Sequence, residues 1–211
     1  MVYQPSEPTK IFFTTINKRI AFFAIAIFVA SYLLANSAIA ADATSKQMKL
    51  KQIMQEQIKM MKPELQKKVK ALSPETKKSL MKILAQHSRY SKTATLRQVM
   101  TEVLSDYQSM LSGIMTENPE QTADSAMRLA NHRIPVGGLL PYMGMKNITD
   151  DRLAVLETFN DSVEGNAKQL AKAARAGNMS KAATLVGSIT TGCVGCHAVF
   201  RSKPGQSDLL R

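Results

Sequence analysis

Apolar residues return every three or four positions along most of this chain. Between 95 and 115 they fall at 96, 99, 100, 103, 107, 110, 111 and 114, as Leu, Val, Met, Val, Tyr, Met, Leu and Ile. That spacing gives a helix one apolar face and predicts an amphipathic helix. A second helix is predicted from Pro119 to near His132, with Asn118 as N-cap and Gln121 completing a capping box. Pro135, Gly137, Gly138 and Pro141 then mark a loop. A third helix is expected from Thr149 to Gly177, with Asp150 and Asp151 favourable in its first turn and a stripe through Leu153, Leu156, Phe159, Val163, Ala167, Leu170 and Ala174. The fourth, from about Ser180 to Arg201, carries Ile189, Cys193, Cys196, His197 and Phe200 on one stripe.

No alternating run rich in β-branched residues interrupts this pattern, so the expected class is all-α. Four such helices, joined shortly except for one long loop, predict an antiparallel four-helix bundle over 95–203. Residues 41–94 read as an additional N-terminal helical extension, with Ser73 as N-cap and Pro74 at the first helical position of LSPETKKSLMKIL. Its methionines, Met48, Met54, Met60 and Met61, read as ordinary apolar filling rather than a soft-metal site. Residues 204–211 form a tail.

Charge changes the picture only locally. The formal net charge is +12, which by itself suggests a polyanionic partner. Residues 41–95, however, hold 13 Lys and Arg against 4 Asp and Glu, while 96–211 hold 12 against 11. The basic character belongs to the extension, so no nucleic-acid partner is expected. A solvated lysine face is the plain reading, with docking to an acidic partner or an anionic membrane surface as the functional one.

Residues 1–40 look like an export signal. Lys10, Lys18 and Arg19 precede the uncharged stretch IAFFAIAIFVASYLLA, and Ala38 and Ala40 occupy the small-residue positions of a peptidase site. Cleavage after Ala40 is expected; the rival is an uncleaved anchor, because 20–40 is just long enough to span a bilayer. Either way the remainder is expected outside the cytoplasm, in the periplasm of a Gram-negative cell.

The only two cysteines, Cys193 and Cys196, stand in TTGCVGCHAVFR with His197 directly after. Four readings compete. A redox-active pair would sit at a helix N-terminus after a strand, whereas this motif lies late in a helical run. A zinc site needs about four ligands, and only His87 and His132 remain to complete one. A plain disulfide leaves the adjacent histidine unexplained. Covalent haem attachment accounts for all three residues, because on a helix they point to one side. His87 itself reads as a surface histidine.

These residues carry a resemblance. CVGCHAVFR is similar to the C-x-x-C-H-x-x-[FY]-R pattern of the class II c-type cytochromes, cytochrome c-prime and its low-spin six-coordinate relatives, and the likeness covers 95–203, about half the chain. It implies one covalent haem c on Cys193 and Cys196, His197 as axial iron ligand and Arg201 near the haem. The extension at 41–94 lies outside the family pattern. In the low-spin relatives a methionine on the first helix supplies the sixth ligand. RQVMTEVLSDYQSM fits best with Met100 there, although Tyr107 stands where a second methionine is common. Met110 shares that face, and His132 is the alternative sixth ligand, though a histidine closing a helix is commonly a cap.

The expected function is therefore electron transfer to redox partner proteins, without enzymatic activity. A five-coordinate, c-prime-like protein binding nitric oxide or carbon monoxide is the alternative. A peroxidase would need His132 as its distal acid–base group. A homodimer stays open.

Overall fold

A computed structural model describes residues 45–201. The expected export segment, 1–40, and the tail, 204–211, lie outside the described residues. Those residues are predominantly helical, with no strand among them. Helix α1 covers 45–59. Residues 50–201 belong to one compact unit, and it carries every feature below.

The next two helices start at prolines, whose missing N–H has no intrahelical partner at a helix start anyway. Helix α2 is Pro63–Ala71 and α3 is Pro74–Leu84. Ser73 caps α3 as expected, its Oγ accepting from the Thr76 N–H at 3.1 Å. The Ser73 N–H donates to Asp150 Oδ1 at 2.9 Å, which fastens the extension to a distant helix start.

Helix α4 is Leu96–Met115, opened by a full capping box between Thr95 and Gln98. Helix α5 is Pro119–Ala130, with Asn118 Oδ1 accepting from the Gln121 N–H at 3.0 Å. The reciprocal half of the expected capping box does not form. The Asn118 N–H already donates to the Gly113 carbonyl at 2.8 Å, closing the end of α4, and Gln121 Nε2 turns to the Ser109 carbonyl instead.

The expected third helix is broken into pieces. Thr149 caps α6, Asp150–Leu153; α7 follows at Leu156–Asn160; a π-helical turn spans Asp161–Gly165; α8 is Asn166–Arg175. Such turns concentrate at functional sites, and this one carries a buried acid, Glu164. Gly177, at φ 72°, ends the run as expected, and α9 is Met179–Phe200.

Helix α4 packs on α5, α5 on α8, α8 on α9, and α9 back on α4. The core they share is small-residue rich: Ala123, Ala126, Ala130, Ala167, Ala171, Ala174 and Ala182 surround Met110, Leu129, Leu170 and Ile189. Small side chains let the helices approach closely. At Gly113 a β-carbon would stand 2.5 Å from Thr122 Oγ1 and 2.8 Å from its backbone nitrogen. A second cluster is built from larger side chains. Met61, Leu65, Val69 and Leu72 of the extension meet Leu140, Met143, Ile148, Leu153, Leu156 and Phe200. The extension thus joins the packed body through the loop after α5 and the C-terminal end of α9.

Candidate functional site

Helix α9 brings its motif to a cavity of about 760 Å³ whose walls come from both clusters. Cys193 packs against the alanine-rich cluster and Cys196 against the second. Both line the cavity, as do His197, Phe200 and Arg201. Two glycines beside the motif let α9 approach its neighbours closely. A β-carbon at Gly192 would stand 2.8 Å from Val163 Cγ2, and one at Gly195 2.8 Å from Phe159 Cε1. α9 therefore lies directly on α7 and the π-helical turn. Phe159 and Phe200 add an edge-to-face contact with ring centroids 6.3 Å apart.

The electrostatics of the motif are those of neutral groups. The cysteine sulfurs are free and half-buried. Burial pushes the Cys193 thiol up. Burial, with Cys193 beside it, pushes Cys196 up to about 11. Helix α9 begins at Met179, far from the motif, so its N-terminal dipole gives no help to a thiolate. A redox-active pair needs the reverse shift. His197, exposed at the cavity edge, is held below the ordinary imidazole range, first by desolvation and then by the Arg201 guanidinium. Near neutral pH it offers an unprotonated nitrogen.

Met100 is half-buried and lines the same cavity. Met110 does not reach it and is wholly buried in the alanine-rich cluster. Tyr107 ties α4 to α9, its hydroxyl 2.6 Å from Thr190 Oγ1.

The histidines are arranged differently from the sequence expectation. His87 is not a surface residue: it is buried, its side chain 1% exposed. The cause is a stretch of backbone that no periodicity shows. Residues 88–94 run beside 131–136 through a parallel bridge between Tyr90 and Ile134. Ser91 N–H donates to the Ile134 carbonyl, and Ile134 N–H to the Arg89 carbonyl at 2.8 Å. Asn131 Oδ1 accepts from Ser88 N–H at 3.0 Å. That pairing sets the His87 ring beside the His132 ring, centroids 4.6 Å apart.

Both rings face Glu164. His132 Nε2 lies 3.2 Å from Glu164 Oε1, and its Nδ1 lies 2.8 Å from the Arg133 carbonyl, so Nδ1 is the donor there. His87 Nε2 lies 3.3 Å from Glu164 Oε2, but the contact is not aligned as a hydrogen bond. Burial alone would raise the Glu164 carboxyl; the hydrogen bond from His132 and the nearby His87 outweigh it and hold it at about 2. Burial opposes a charged His132, yet the Glu164 hydrogen bond and charge raise its imidazole above the ordinary range. His132 therefore caps no free helix end and is engaged through both ring nitrogens. Glu164 was missed in the sequence; its sole local signal is an acid beside an apolar stripe.

No family model, curated protein or solved structure matches the chain.

Proposed function

We propose that this chain is an exported c-type cytochrome that transfers electrons, with one covalent haem c on Cys193 and Cys196 and its iron held by His197. We read the closed ring of α4, α5, α8 and α9 as an antiparallel four-helix bundle. The observation that carries the reading is a juxtaposition. Two protonated thiols and an unprotonated imidazole share one side of one helix and open on an apolar cavity of about 760 Å³. Cofactor sites occupy roughly 300–1,000 Å³.

The residues fit a haem: thiols for thioether bonds, a nitrogen lone pair for iron, and walls of Leu, Met, Phe and Val. Bound there, a haem supplies one-electron chemistry at its iron. The chain does the rest. His197 and the two cysteines would hold it on α9. The apolar walls exclude water and disfavour added charge, which tunes the potential. Met100 is the candidate sixth ligand, a role supported by its place on the cavity wall and by the engagement of His132 elsewhere. Lys59, Lys67, Lys70 and Lys78 are exposed on the extension and would dock an acidic redox partner.

The test is production in a host with cytochrome maturation. The polypeptide mass should include one porphyrin that survives denaturation, and the oxidised protein should show low-spin iron that becomes high-spin in Met100→Ala. A colourless protein of bare polypeptide mass sinks the proposal. High-spin iron in the wild type would move it to nitric oxide or carbon monoxide binding.

A further inference from the structure

His87, His132 and Glu164 come from three separated parts of the chain, yet their ligand atoms all lie within 4.8 Å of one another. Two imidazoles and one carboxylate form the donor set of borderline divalent metals such as zinc and ferrous iron. Donors about 2.0–2.2 Å from a tetrahedral ion stand about 3.3–3.5 Å apart. The Glu164 oxygens are 3.2 Å and 3.3 Å from the two Nε2 atoms, so side-chain movements of about an ångström would close the set on one ion.

Two further observations point to a ligand. Three buried side-chain atoms lack a hydrogen-bond partner among the described residues: His87 Nδ1, Glu164 Oε2 and Asn160 Oδ1. They fall together, for Asn160 precedes Glu164 by four residues in the same distorted helix and lines the same cavity. Buried polar atoms are rarely left unpaired without a reason. In addition, His132 Nδ1 donates to the Arg133 carbonyl at 2.8 Å. That is the outer contact which orients a metal-binding histidine, and it turns Nε2 towards Glu164, where a shared ion would replace the proton between them. All three side chains line the cavity, so a fourth coordination position would face it.

We propose that His87, His132 and Glu164 bind a divalent transition-metal ion, at a site separate from the Cys193–His197 motif and open to the same cavity. The inference does not rest on the haem reading. In the metal-free protein the same groups form a buried ion pair, and the metal takes the place of the His132 proton.

The experiment uses the full chain carrying Cys193→Ser and Cys196→Ser, so that thiols cannot bind the probe. After chelator treatment, zinc alone is titrated by calorimetry and bound zinc is counted. One equivalent is expected, with affinity falling at least tenfold to a hundredfold in Glu164→Gln and in His87→Gln. No uptake, or uptake unchanged by both substitutions, overturns the proposal. Should the Glu164 and His87 variants not fold, the X-ray absorption fine structure of the zinc-loaded double-serine chain decides. Imidazole scattering with nitrogen and oxygen at about 2.0–2.1 Å supports it, and an oxygen-only shell without imidazole overturns it.

Discussion

Two clusters of chemical side chains line one cavity, and they are built in opposite ways. Cys193, Cys196 and His197 occupy a single turn of α9, held together by helix periodicity alone. His87, His132 and Glu164 meet only because the 88–94 stretch runs beside 131–136 and a π-helical turn buries Glu164. The first cluster is neutral and carries thiols pushed upward by burial. The second is charged, with a carboxylate held at about 2 between two imidazoles. A locally encoded site survives distortion of the fold around it; an assembled one depends on every element that brings it together.

The largest separation between them should come from the cysteines. Cys193→Ser with Cys196→Ser should abolish covalent porphyrin attachment completely, while Glu164→Gln should leave the attached mass unchanged. Intact mass spectrometry of protein matured in the same host reads both. Equal loss in the two variants would show that attachment depends on both clusters alike.

Stability should respond in the reverse order. Glu164→Gln leaves His132 and His87 facing a neutral amide in a buried setting, and removing one partner of a buried ion pair costs about 3–5 kcal/mol. Denaturant titration should show that loss. Cys193→Ser should cost far less, since its half-buried sulfur has no charged partner.

A smaller effect should follow from joining the two sites. Gly192→Ala places a methyl 2.8 Å from Val163 Cγ2 and 2.9 Å from Ser162 Cβ, within the π-helical turn that carries Glu164. Overpacking of this kind costs about 1–3 kcal/mol. A melting temperature equal to that of the wild type would show that α9 and the turn move apart freely.

The pH dependence sharpens the contrast most finely. The Glu164 carboxyl is lowered from 4.5 to about 2, so its stabilisation is present above about pH 4.5 and is lost as pH falls from there towards 2. The His132 imidazole is raised from 6.5, so its contribution is present below about pH 6.5 and is lost as pH rises through the folded value. The pair should stabilise most between about pH 4.5 and 6.5. Denaturation midpoints across that range should show a maximum that Glu164→Gln flattens. A flat wild-type profile would mean that the buried groups carry no net charge.

Much of this was legible along the chain. The helix starts at Pro74, Leu96, Pro119 and Asp150 follow from Ser73, Thr95, Asn118 and Thr149, whose side chains accept from the first-turn N–H groups. The expected continuous third helix is interrupted by a turn at 154–155 and by π winding over Asp161–Gly165, and periodicity distinguishes neither from unbroken α winding over so few residues. His87 was misread because burial of one polar residue depends on what covers it, and here the cover is a loop 45 positions further on.

The sequence by itself determined the all-helical class and the Cys193–Cys196–His197 constellation, since both depend on interactions within a few residues of one helix. Tertiary structure decided the cavity those residues face, the burial of the extension's Met61, Leu65 and Val69, and the meeting of His87 and His132 with Glu164. These are distances between segments far apart in the chain. They are fixed only when apolar faces and backbone pairs close over one another, and no local pattern contains them.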